Sequence, residues 1–495
     1  MELSATGSLA RLLHHRATTD PDVPFAWFGA AGPWTYAQLA AGEAAQRAVL
    51  TDAGAIAGRR VVLQVGNAIE TLPALQAAWS LGATPVLVHA SAPAAEAEEV
   101  ATSTGATGIV TGAQLVAPDR WAAAPLVAPP EVASGSDAVV IMTSGSTGRP
   151  KGVPLTHSGA WSMLRTTVAG FRTDAAPDQR ASAAGAPNLL VQPLTHTAGL
   201  VRLLFGLYVG RPVVLMRKFD AAEAVAAVAR HGIKQLSLAP SMLRMLLDLP
   251  DDTSLAPVRY VSSGTAPLPE ALRVAFEERF GVPVLQTYGQ TEAFGAITSE
   301  LASDVLAGRR RPGSVGRALP GVEVRVVDDE GRALGPGQTG QIVVRSAAAT
   351  AGYLGAASGE RSRTDDGALL TGDVGHLDED GFLYLTSRTR NVLIVGGFNV
   401  YPEEVEAALA AAGLANTVVV GIDDERLGQV PVVVHDSDLE EHEVLMGVHE
   451  RLAPFKRPRR ALRVAAIPVT ALGKPDRGRV QELVSAALAP TGAAR

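Results

Sequence analysis

From about residue 220, the spacing of apolar positions changes repeatedly along the chain. Stretches with helical spacing alternate with short apolar runs that are typical of strands. The predicted helices are 220–230, 241–249 and 269–280, and the predicted strands are 235–238, 259–262 and 283–287. Strands separated by helices indicate right-handed crossovers, and therefore a mainly parallel sheet.

The pattern changes again in the last third of the chain. After about residue 310, turn-rich segments separate short strands such as 341–345 and 382–385. Beyond Arg388 a smaller α+β pattern follows, with helices starting near Pro402 and Leu439. Its predicted strands are 392–395, 417–421, 430–435 and 462–467.

These patterns predict an α/β protein of two domains. The larger one, residues 1–389, is expected to hold mainly parallel sheets flanked by helices, together with a small β-barrel-like part. The smaller one, residues 390–495, is expected to be an α+β domain. A chain of 495 residues is too long for one compact core, which agrees with this division.

Composition narrows the classes of function. The net charge is −7 and no basic patch dominates, so we expect no nucleic-acid partner. The absence of cysteine excludes disulfides and thiolate metal sites. The uncharged stretch 71–95 contains Pro73, Gly82 and Pro85, which favours a helix, a turn and a strand over a membrane span. With no secretory pattern at the N-terminus, we expect a soluble cytoplasmic protein.

Four stretches rich in glycine and hydroxyl residues follow predicted strands. They are "TSGSTG" (143–148) after the apolar run 138–142, "APS" (239–241), "SSGTAPL" (262–268) and "TYGQTEA" (287–293). Ligands of parallel sheets lie just beyond the carboxyl ends of the strands. The four stretches are therefore candidates for a binding site.

The first stretch has the composition of a phosphate-binding loop. Small residues let backbone N–H groups approach phosphate oxygens, and Lys151 adds a cation. The order Gly145-Ser-Thr-Gly148-Arg-Pro-Lys151-Gly152 does not have the spacing of a P-loop. By itself the string is therefore compatible with either a phosphate loop or a surface turn.

The order of motifs along nearly the whole chain resembles the adenylate-forming superfamily, which comprises acyl- and aryl-CoA ligases, adenylation domains and firefly luciferase. The matching segments are "TSGSTGRPKG" (143–152), "PLTHTAGL" (193–200), "SSGTAPL" (262–268), "YGQTEA" (288–293), "TGDVG" (371–375), "SRTRNVLIVGGFNVYPEEVE" (387–406) and "LGKPDR" (472–477). The resemblance implies attack of a carboxylate on the α-phosphate of ATP, with release of pyrophosphate.

The resemblance also implies an ATP site. Glu292 would bind Mg²⁺, Thr291 would lie near the α-phosphate, and Asp373 and Arg388 would contact the ribose. Residues implied to contact the β- and γ-phosphates are Thr143, Ser144, Gly145, Ser146, Thr147, Gly148 and Lys151, and those implied to contact adenine are Gly264, Thr265, Ala266 and Tyr288. Gly289 is implied to border both the ATP site and the acyl pocket.

In such enzymes a lysine near the C-terminus, here Lys474, bridges the carboxylate, the α-phosphate and the ribose. The small domain that carries this lysine then rotates to permit the second half-reaction. The pivot position, commonly Asp or Lys, is Arg390 here, and its effect on the two states stays open.

Motif positions also suggest where the acid and the acyl acceptor bind. His196 is expected beside the carboxylate, and the pocket residues implied are His196, Thr197, Gly199, Leu200, Ser241, Ser262, Ser263 and Phe294. No acidic residue is among them, which disfavours an amino group on the substrate. An aromatic, cyclic or medium-chain acid would fit.

For the acceptor, Gly396 and Gly397 resemble a turn that lines the pantetheine tunnel of CoA ligases, and Lys456 and Arg457 resemble residues near the CoA nucleotide. We therefore expect a carboxylate–CoA ligase that uses ATP, Mg²⁺ and CoA, as a monomer or homodimer. A carrier protein or an amine as acceptor is the alternative. A nucleotide-binding module without catalysis is a further one.

Overall fold

The computed structural model describes residues 7–133, 135–144, 150–171, 185–266, 268–328, 330–354, 362–388, 393–414, 416–468, 475 and 477–488. The chain folds as two compact units. The first consists of Met1–Ala90, Ala97–Met142 and Gly152–Thr389, and the second of Ser91–Glu96, Thr143–Lys151 and Arg390–Arg495.

The helices occupy much of the chain. In chain order they are α1 (Arg11–Thr19), α2 (Tyr36–Asp52), α3 (Thr71–Ser80), α4 (Ala94–Thr104), α5 (His157–Phe171), α6 (Thr197–Val209), α7 (Ala221–His231), α8 (Pro240–Leu247), α9 (Glu270–Phe280), α10 (Ala302–Leu306), α11 (Pro402–Ala411), α12 (Glu441–Gly447) and α13 (Arg477–Leu488). Within the described ranges, no helix is both long and apolar enough to cross a membrane.

Two sheets are built from the first part of the chain. Their strands are β1 (Pro24–Phe28), β2 (Ala31–Thr35), β3 (Arg60–Val65), β4 (Thr84–His89), β5 (Ala106–Thr111), β6 (Asp137–Ser144), β7 (Pro150–Thr156), β8 (Asn188–Leu190) and β9 (Val213–Leu215). One sheet has the order β5-β3-β4-β6-β7, in which β3 runs parallel to β4 and β5 and β4 runs parallel to β6. The other has the order β2-β1-β9-β8.

A nine-stranded sheet follows, with the order β10-β11-β12-β13-β14-β18-β17-β16-β15. Its strands are β10 (Gln235–Leu238), β11 (Tyr260–Ser263), β12 (Val284–Gln290), β13 (Gly295–Ser299), β14 (Ser314–Ala318), β15 (Glu323–Val327), β16 (Gly340–Arg345), β17 (Leu369–Leu377) and β18 (Phe382–Arg388). Strands β10 to β12 are parallel and the others pair antiparallel. The part predicted to be barrel-like is this antiparallel portion, and its described strands do not close into a barrel.

The second unit contains a smaller sheet. Its strands are β19 (Leu393–Val395), β20 (Phe398–Val400), β21 (Thr417–Asp424), β22 (Gly428–His435) and β23 (Arg460–Arg463). They have the order β20-β19-β22-β21, with β23 alongside β22. The predicted strand 462–467 is wrong in its position, because the pairing ends where Arg463 meets His435, the last residue of β22.

Local signals define the helices that flank β10 to β12. Asp220 caps α7 by accepting a hydrogen bond from the N–H of Glu223, and Gly232 ends that helix with a φ of +62°. A left-handed residue at a helix C-terminus is usually glycine, because it has no Cβ to clash. Helix α8 begins at Pro240, a residue that suits a first helical turn. The sequence therefore fixes where each crossover starts and stops.

A buried histidine connects the N-terminal segment to α5. The backbone N–H of Leu9 donates to Nδ1 of His157 over 3.1 Å, and His157 is only 4% exposed. Burial lowers the pKa of His157 to about 4. The native state therefore requires the neutral imidazole.

We predict that this histidine makes the protein sensitive to acid. The unfolded chain takes up a proton near pH 6.5 and the folded chain only near pH 4, so stability is intact above pH 6.5 and falls as the pH drops toward 4. His157→Asn keeps a hydrogen-bond acceptor near the position of Nδ1 but cannot take up a proton. The free energy of unfolding that is lost between pH 6.5 and pH 4 should therefore be about 3 kcal/mol smaller in the variant than in the wild type. Denaturant midpoints at a series of pH values measure it. The exposed His442→Asn is the control, and equal pH profiles for wild type and His157→Asn would contradict the prediction.

Candidate active site

The carboxyl ends of the parallel strands β11 and β12 lie side by side. The hydroxyl of Thr287 donates to the carbonyl oxygen of Ser263 over 3.2 Å. A Cβ at Gly264 would come within 2.4 Å of the Thr287 hydroxyl and 3.0 Å of its carbonyl oxygen. Glycine is therefore required where the chain leaves β11.

Thr265, the next residue, has a strained backbone. Its φ of +70° lies in the left-handed region, which a β-branched residue rarely adopts. Its hydroxyl is buried and has no hydrogen-bond partner among the described residues, and the same holds for the hydroxyl of Ser263. Strain and unsatisfied polar groups gather where a structure is built to bind a ligand.

A tyrosine and an aspartate far apart in sequence meet near this edge. The hydroxyl of Tyr288 donates to Oδ2 of Asp373 over 2.6 Å, and both residues are buried. The pairing of β17 with β18 places Arg388 directly opposite Asp373. Only 6% of Tyr288 is exposed and its ring packs in a hydrophobic cluster, so little of it is available to contact a base.

The segment after β12 is a short 3-10 turn, Thr291–Ala293. The hydroxyl of Thr197 donates to that of Thr291 over 3.0 Å, which connects the turn to the start of α6. Glu292 is half-buried, and its Oε1 accepts a hydrogen bond of 2.9 Å from the hydroxyl of Tyr353. A buried side-chain nitrogen of Gln290, Nε2, has no partner among the described residues.

His196 caps the N-terminus of α6. Its Nδ1 accepts a hydrogen bond of 3.3 Å from the N–H of Ala198, which assigns the ring proton to Nε2. Protein atoms surround the ring on most sides, and this desolvation lowers the pKa of His196 to about 4. The imidazole is thus a neutral hydrogen-bond donor at neutral pH.

Glycine again permits close packing at the start of α6. A Cβ at Gly199 would lie 2.2 Å from the carbonyl oxygen of Pro193, and one at Gly289 would lie 2.1 Å from that of Gly295. Both glycines allow backbone segments to approach each other. Backbone packing alone therefore requires glycine at both positions, whether or not either residue contacts a ligand.

Two of the predicted pocket residues do not line a pocket. Leu200 and Phe294 have no exposed surface and pack together in the core of the first unit. The prediction was wrong for both because the motif gives a position along the chain, whereas the helical period turns Leu200 toward the core. Thr197, Ser262 and Ser263 keep a small exposed fraction, and Ser241 is half-buried.

The predicted acceptor residues have other roles in this structure. Gly396 and Gly397 have φ values of +59° and +88° and form the two-residue turn between β19 and β20, a geometry that favours glycine at both positions. Lys456 is buried and forms an ion pair with Glu404. Burial opposes the charged form of Lys456, but its acidic neighbours outweigh this and raise its pKa. Lys456 is therefore not available to bind a phosphate in this state, contrary to our prediction.

Arg457, the other residue expected near the CoA nucleotide, contacts residues that lie close to it in sequence. Its Nε donates to the carbonyl oxygen of Leu452 over 2.9 Å, and its Nη1 lies 3.0 Å from Nε2 of His449.

The structure describes only the two ends of the predicted phosphate loop. The hydroxyl of Thr143 lies 3.5 Å from the carbonyl oxygen of Lys151, which is itself buried in β7. Predicted residues that lie outside the described ones are Gly145, Ser146, Thr147, Gly148, Arg390 and Lys474, together with the side chains of Ser144 and Arg388. Gly264 and Ala266, expected near adenine, are half-buried beside Thr265.

A magnesium ion is compatible with Glu292. Across the described ranges, no group of three or more His, Cys, Asp or Glu residues could hold a metal ion. Magnesium nevertheless needs only one or two carboxylates, since phosphate oxygens and water complete its shell. The bond from Tyr353 orients the Glu292 carboxylate, a contact that sequence reasoning missed because the two residues are 61 positions apart.

The chain belongs to the AMP-binding enzyme family. The model of that family matches residues 13–354, and the model of the AMP-binding enzyme C-terminal domain matches residues 404–474. Membership of the adenylate-forming superfamily, predicted from the motifs, is thereby confirmed.

Individual relatives are carboxylate–CoA ligases. The chain is 31% identical over 451 residues to a 2-succinylbenzoate–CoA ligase of Bacillus cereus, covering 88% of this chain and 90% of that protein. It is 30% identical over 475 residues to the long-chain-fatty-acid–CoA ligase FadD13 of Mycobacterium tuberculosis, covering 89% and 91%. The predicted enzyme class, an AMP-forming carboxylate–CoA ligase, agrees with both.

Solved structures confirm the fold. The o-succinylbenzoate CoA synthetase MenE of Bacillus subtilis, as a double mutant with a product analogue, has a TM-score of 0.84 and 26% identity over 95% of this chain and 98% of that one. The amide bond synthetase McbA of Marinactinospora thermotolerans has a TM-score of 0.82 and 28% identity over 96% and 99%.

We predict that Thr265→Gly stabilises the protein and weakens ATP binding. Glycine relieves the left-handed strain, which is of order 1 kcal/mol or more, but removes the buried hydroxyl that we expect a ligand to use. Thermal unfolding and ATP titration measure the two effects. Ala266→Gly is the matched control, because Ala266 is not in the left-handed region and its replacement should only lower stability. A destabilised Thr265→Gly would contradict the strain argument.

Proposed function

We propose that this protein is an ATP-dependent carboxylate–CoA ligase that acts in two half-reactions. In the first, a carboxylate oxygen attacks the α-phosphorus of ATP, the bond to the bridging oxygen breaks, and pyrophosphate leaves. In the second, the thiol of CoA attacks the acyl carbonyl, AMP leaves with the bonding electrons, and the thiol proton is lost to solvent.

The observation that carries this proposal is the cluster of polar groups at the ends of β11 and β12. Ser263 and Thr265 offer buried hydroxyls that have no hydrogen-bond partner in the described part of the chain, while Asp373 is held by Tyr288. Unsatisfied buried groups cost free energy that a bound ligand would recover. An ionised Asp373 can accept hydrogen bonds from two ribose hydroxyls, since a carboxylate has several acceptor sites.

The residues around the reacting atoms suit an encounter of two anions. Glu292 would hold Mg²⁺, which supplies positive charge beside the phosphates. His196 would donate its Nε2–H to the acid without bearing a charge of its own, because burial keeps the ring neutral. Thr291, oriented by Thr197, would donate to the α-phosphate.

The remaining roles follow from the motifs. We assign binding of the β- and γ-phosphates to the loop from Thr143 to Lys151, and bridging of carboxylate and α-phosphate to Lys474. We assign the pivot between the two half-reactions to Arg390 and a ribose contact to Arg388. Domain roles follow likewise, with ATP and acid in residues 1–389 and the lysine in residues 390–495.

An amine or a carrier protein is the alternative acceptor. The ion pair between Lys456 and Glu404 removes one expected contact to CoA, and the turn at Gly396 and Gly397 needs glycine for its own geometry. An amide bond synthetase is also among the similar structures. The cytoplasmic location and the monomeric or homodimeric state stay predictions.

We predict that Asp373→Asn reduces recognition of the ribose. The amide has the same shape but loses the charge, so the apparent affinity for ATP should fall by roughly 10- to 100-fold. The preference of the wild type for ATP over 2′-deoxyATP should shrink in the variant. Initial rates with both nucleotides measure this, and the exposed Asp380→Asn is the control. An unchanged preference would argue against the ribose contact.

We predict that Lys474→Ala separates the two half-reactions. Acid-dependent exchange of labelled pyrophosphate into ATP should fall by several orders of magnitude, since the variant lacks the bridging charge. Thiol transfer from a synthetic acyl-adenylate should persist. The exposed Lys218→Ala is the control. Production of ADP rather than AMP would refute the proposed reaction, and equal loss of both half-reactions would refute the role of Lys474.

A further inference from the structure

The segment 350–354, which lies between β16 and β17, contacts Glu292 in two ways. Its first residue, Thr350, is 3% exposed, and the backbone N–H of Thr350 donates to the carbonyl oxygen of Glu292 over 2.8 Å. The hydroxyl of Tyr353 donates to Oε1 of Glu292 over 2.9 Å. One short segment therefore fixes both the backbone and the carboxylate of the residue to which we assign Mg²⁺.

The same segment also contacts the outer edge of β7. Strand β7 is the last strand of its sheet, and an edge strand presents unpaired backbone groups. The backbone N–H of Leu354 donates to the carbonyl oxygen of Gly152 over 2.7 Å. The hydroxyl of Thr350 lies 2.7 Å from the carbonyl oxygen of Pro154 and 2.8 Å from that of Gly352, and it can donate to one of them at a time. Segment 350–354 thus joins Glu292 to β7.

Packing and a charged hydrogen bond hold this segment in place. Ala348, two residues before it, is buried in the hydrophobic core of the first unit, and the ring of Tyr353 packs against that core. The guanidinium of Arg363 donates to the carbonyl oxygen of Thr350. Side chains that are locked by packing and by further hydrogen bonds can keep a functional group in a precise position.

Magnesium requires such precision. It demands nearly octahedral geometry, with oxygen ligands at about 2.1 Å, and it would join Glu292 to phosphate oxygens. Glu292 lies in the turn between β12 and β13 of the nine-stranded sheet, whereas the predicted phosphate loop continues into β7 of another sheet. The geometry at the metal therefore depends on how these two sheets are connected near Glu292, and segment 350–354 provides a connection there.

We infer that Thr350 and Tyr353 are positioning residues that hold Glu292 at a fixed place relative to β7, so that its carboxylate and the phosphates of ATP can share one Mg²⁺. They act through Glu292 and not on the reacting atoms. Tyr353 orients the carboxylate directly, and Thr350 fixes the backbone that carries it. The inference rests on the proposed function, because it takes Glu292 to bind Mg²⁺ together with ATP.

Binding of ATP with and without the metal tests the inference. Calorimetric titration of the full chain with ATP, once in excess Mg²⁺ and once in EDTA, gives two Kd values in the absence of any acid. Their ratio isolates the contribution of the metal and needs no turnover. Tyr353→Phe removes only the hydroxyl that donates to Glu292, and it should lower this ratio by roughly 10-fold, a usual effect of losing a partner of a metal ligand. The affinity in EDTA should not change.

Two substitutions of Thr350 test the second contact. Thr350→Val keeps the branched shape and the backbone N–H that donates to Glu292, but it loses the hydroxyl. It should lower the ratio by a smaller factor than Tyr353→Phe, because it acts on the carboxylate only through the backbone. Thr350→Ser retains a hydroxyl and should restore the ratio of the wild type.

Matched controls remove similar groups elsewhere in the fold. The buried hydroxyl of Thr84 donates to the carbonyl oxygen of Asp137 over 2.9 Å, where β4 and β6 begin. The hydroxyl of Tyr384 donates to Oδ2 of Asp378 over 3.3 Å. Thr84→Val and Tyr384→Phe should lower the thermal stability without altering the ratio of the two Kd values.

A double variant tests whether both residues act through Glu292. If they do, Thr350→Val combined with Tyr353→Phe should lower the ratio by less than the product of the two single effects, since contacts to a shared residue are not independent. Thr84→Val combined with Tyr353→Phe should give the product of the single effects. A simple product for the first pair would refute the shared route through Glu292.

The remaining outcomes separate the inference from the function on which it rests. If Tyr353→Phe and Thr350→Val weaken ATP binding equally in Mg²⁺ and in EDTA, or leave the ratio unchanged, both residues are structural and the inference is wrong. The ligase function then stands as long as the wild type forms AMP and pyrophosphate from an acid. If no acid yields AMP and pyrophosphate, the proposed function is wrong, and the ratio still decides the inference because ATP binding needs no acid.

Discussion

Two anions must meet in this protein, and that constraint organises the site. A carboxylate and a triphosphate repel each other, so their encounter needs positive charge and fixed hydrogen-bond donors. The fold brings hydrogen-bond donors together by letting β11 and β12 end at one edge, where Ser263, Thr265 and Thr291 lie, and we propose that these donors serve that encounter. Helix α6 adds the neutral imidazole of His196 to the same region, connected through Thr197. Each of these four side chains can donate a hydrogen bond and is uncharged, whereas the carboxylates of the site, Glu292 and Asp373, are assigned to Mg²⁺ and to the ribose.

Burial makes two residues on α6 chemically different from their free side chains. Desolvation holds His196 in its neutral form, which lets it donate a hydrogen bond at neutral pH. The same effect acts on Arg202, yet a guanidinium starts from so high a pKa that it remains charged. One helix therefore presents a neutral donor near its start and a cation one and a half turns later. We expect the imidazole of His196 to serve the reacting carboxylate.

The sequence predicted the elements better than their contacts. Strand β10 matches its predicted bounds, and α7 and α9 match to within one residue, because Asp220 and the glycines that end these helices are strong local signals. The bond between Tyr288 and Asp373 joins residues 85 positions apart, and no local pattern specifies it. Motifs placed both residues in one site and implied that Tyr288 contacts adenine, whereas the structure buries most of its ring.

Other misses have the same cause. Leu200 and Phe294 were expected in a pocket because they adjoin motif residues, but the helical period and a left-handed turn direct them inward. Lys456 was expected to meet a phosphate because it lies in a cationic run, and Glu404, 52 positions earlier, pairs with it instead.

The left-handed Thr265 also bears on how such a protein would change under selection. A population selected only for heat resistance would tend to replace this residue by glycine, because the folded state gains while the chain around it needs no adjustment. On our proposal, proteins of that lineage would have a higher thermal stability and a lower affinity for the nucleotide. Retention of threonine at this position would then indicate selection for nucleotide binding, at the cost of a strained backbone angle.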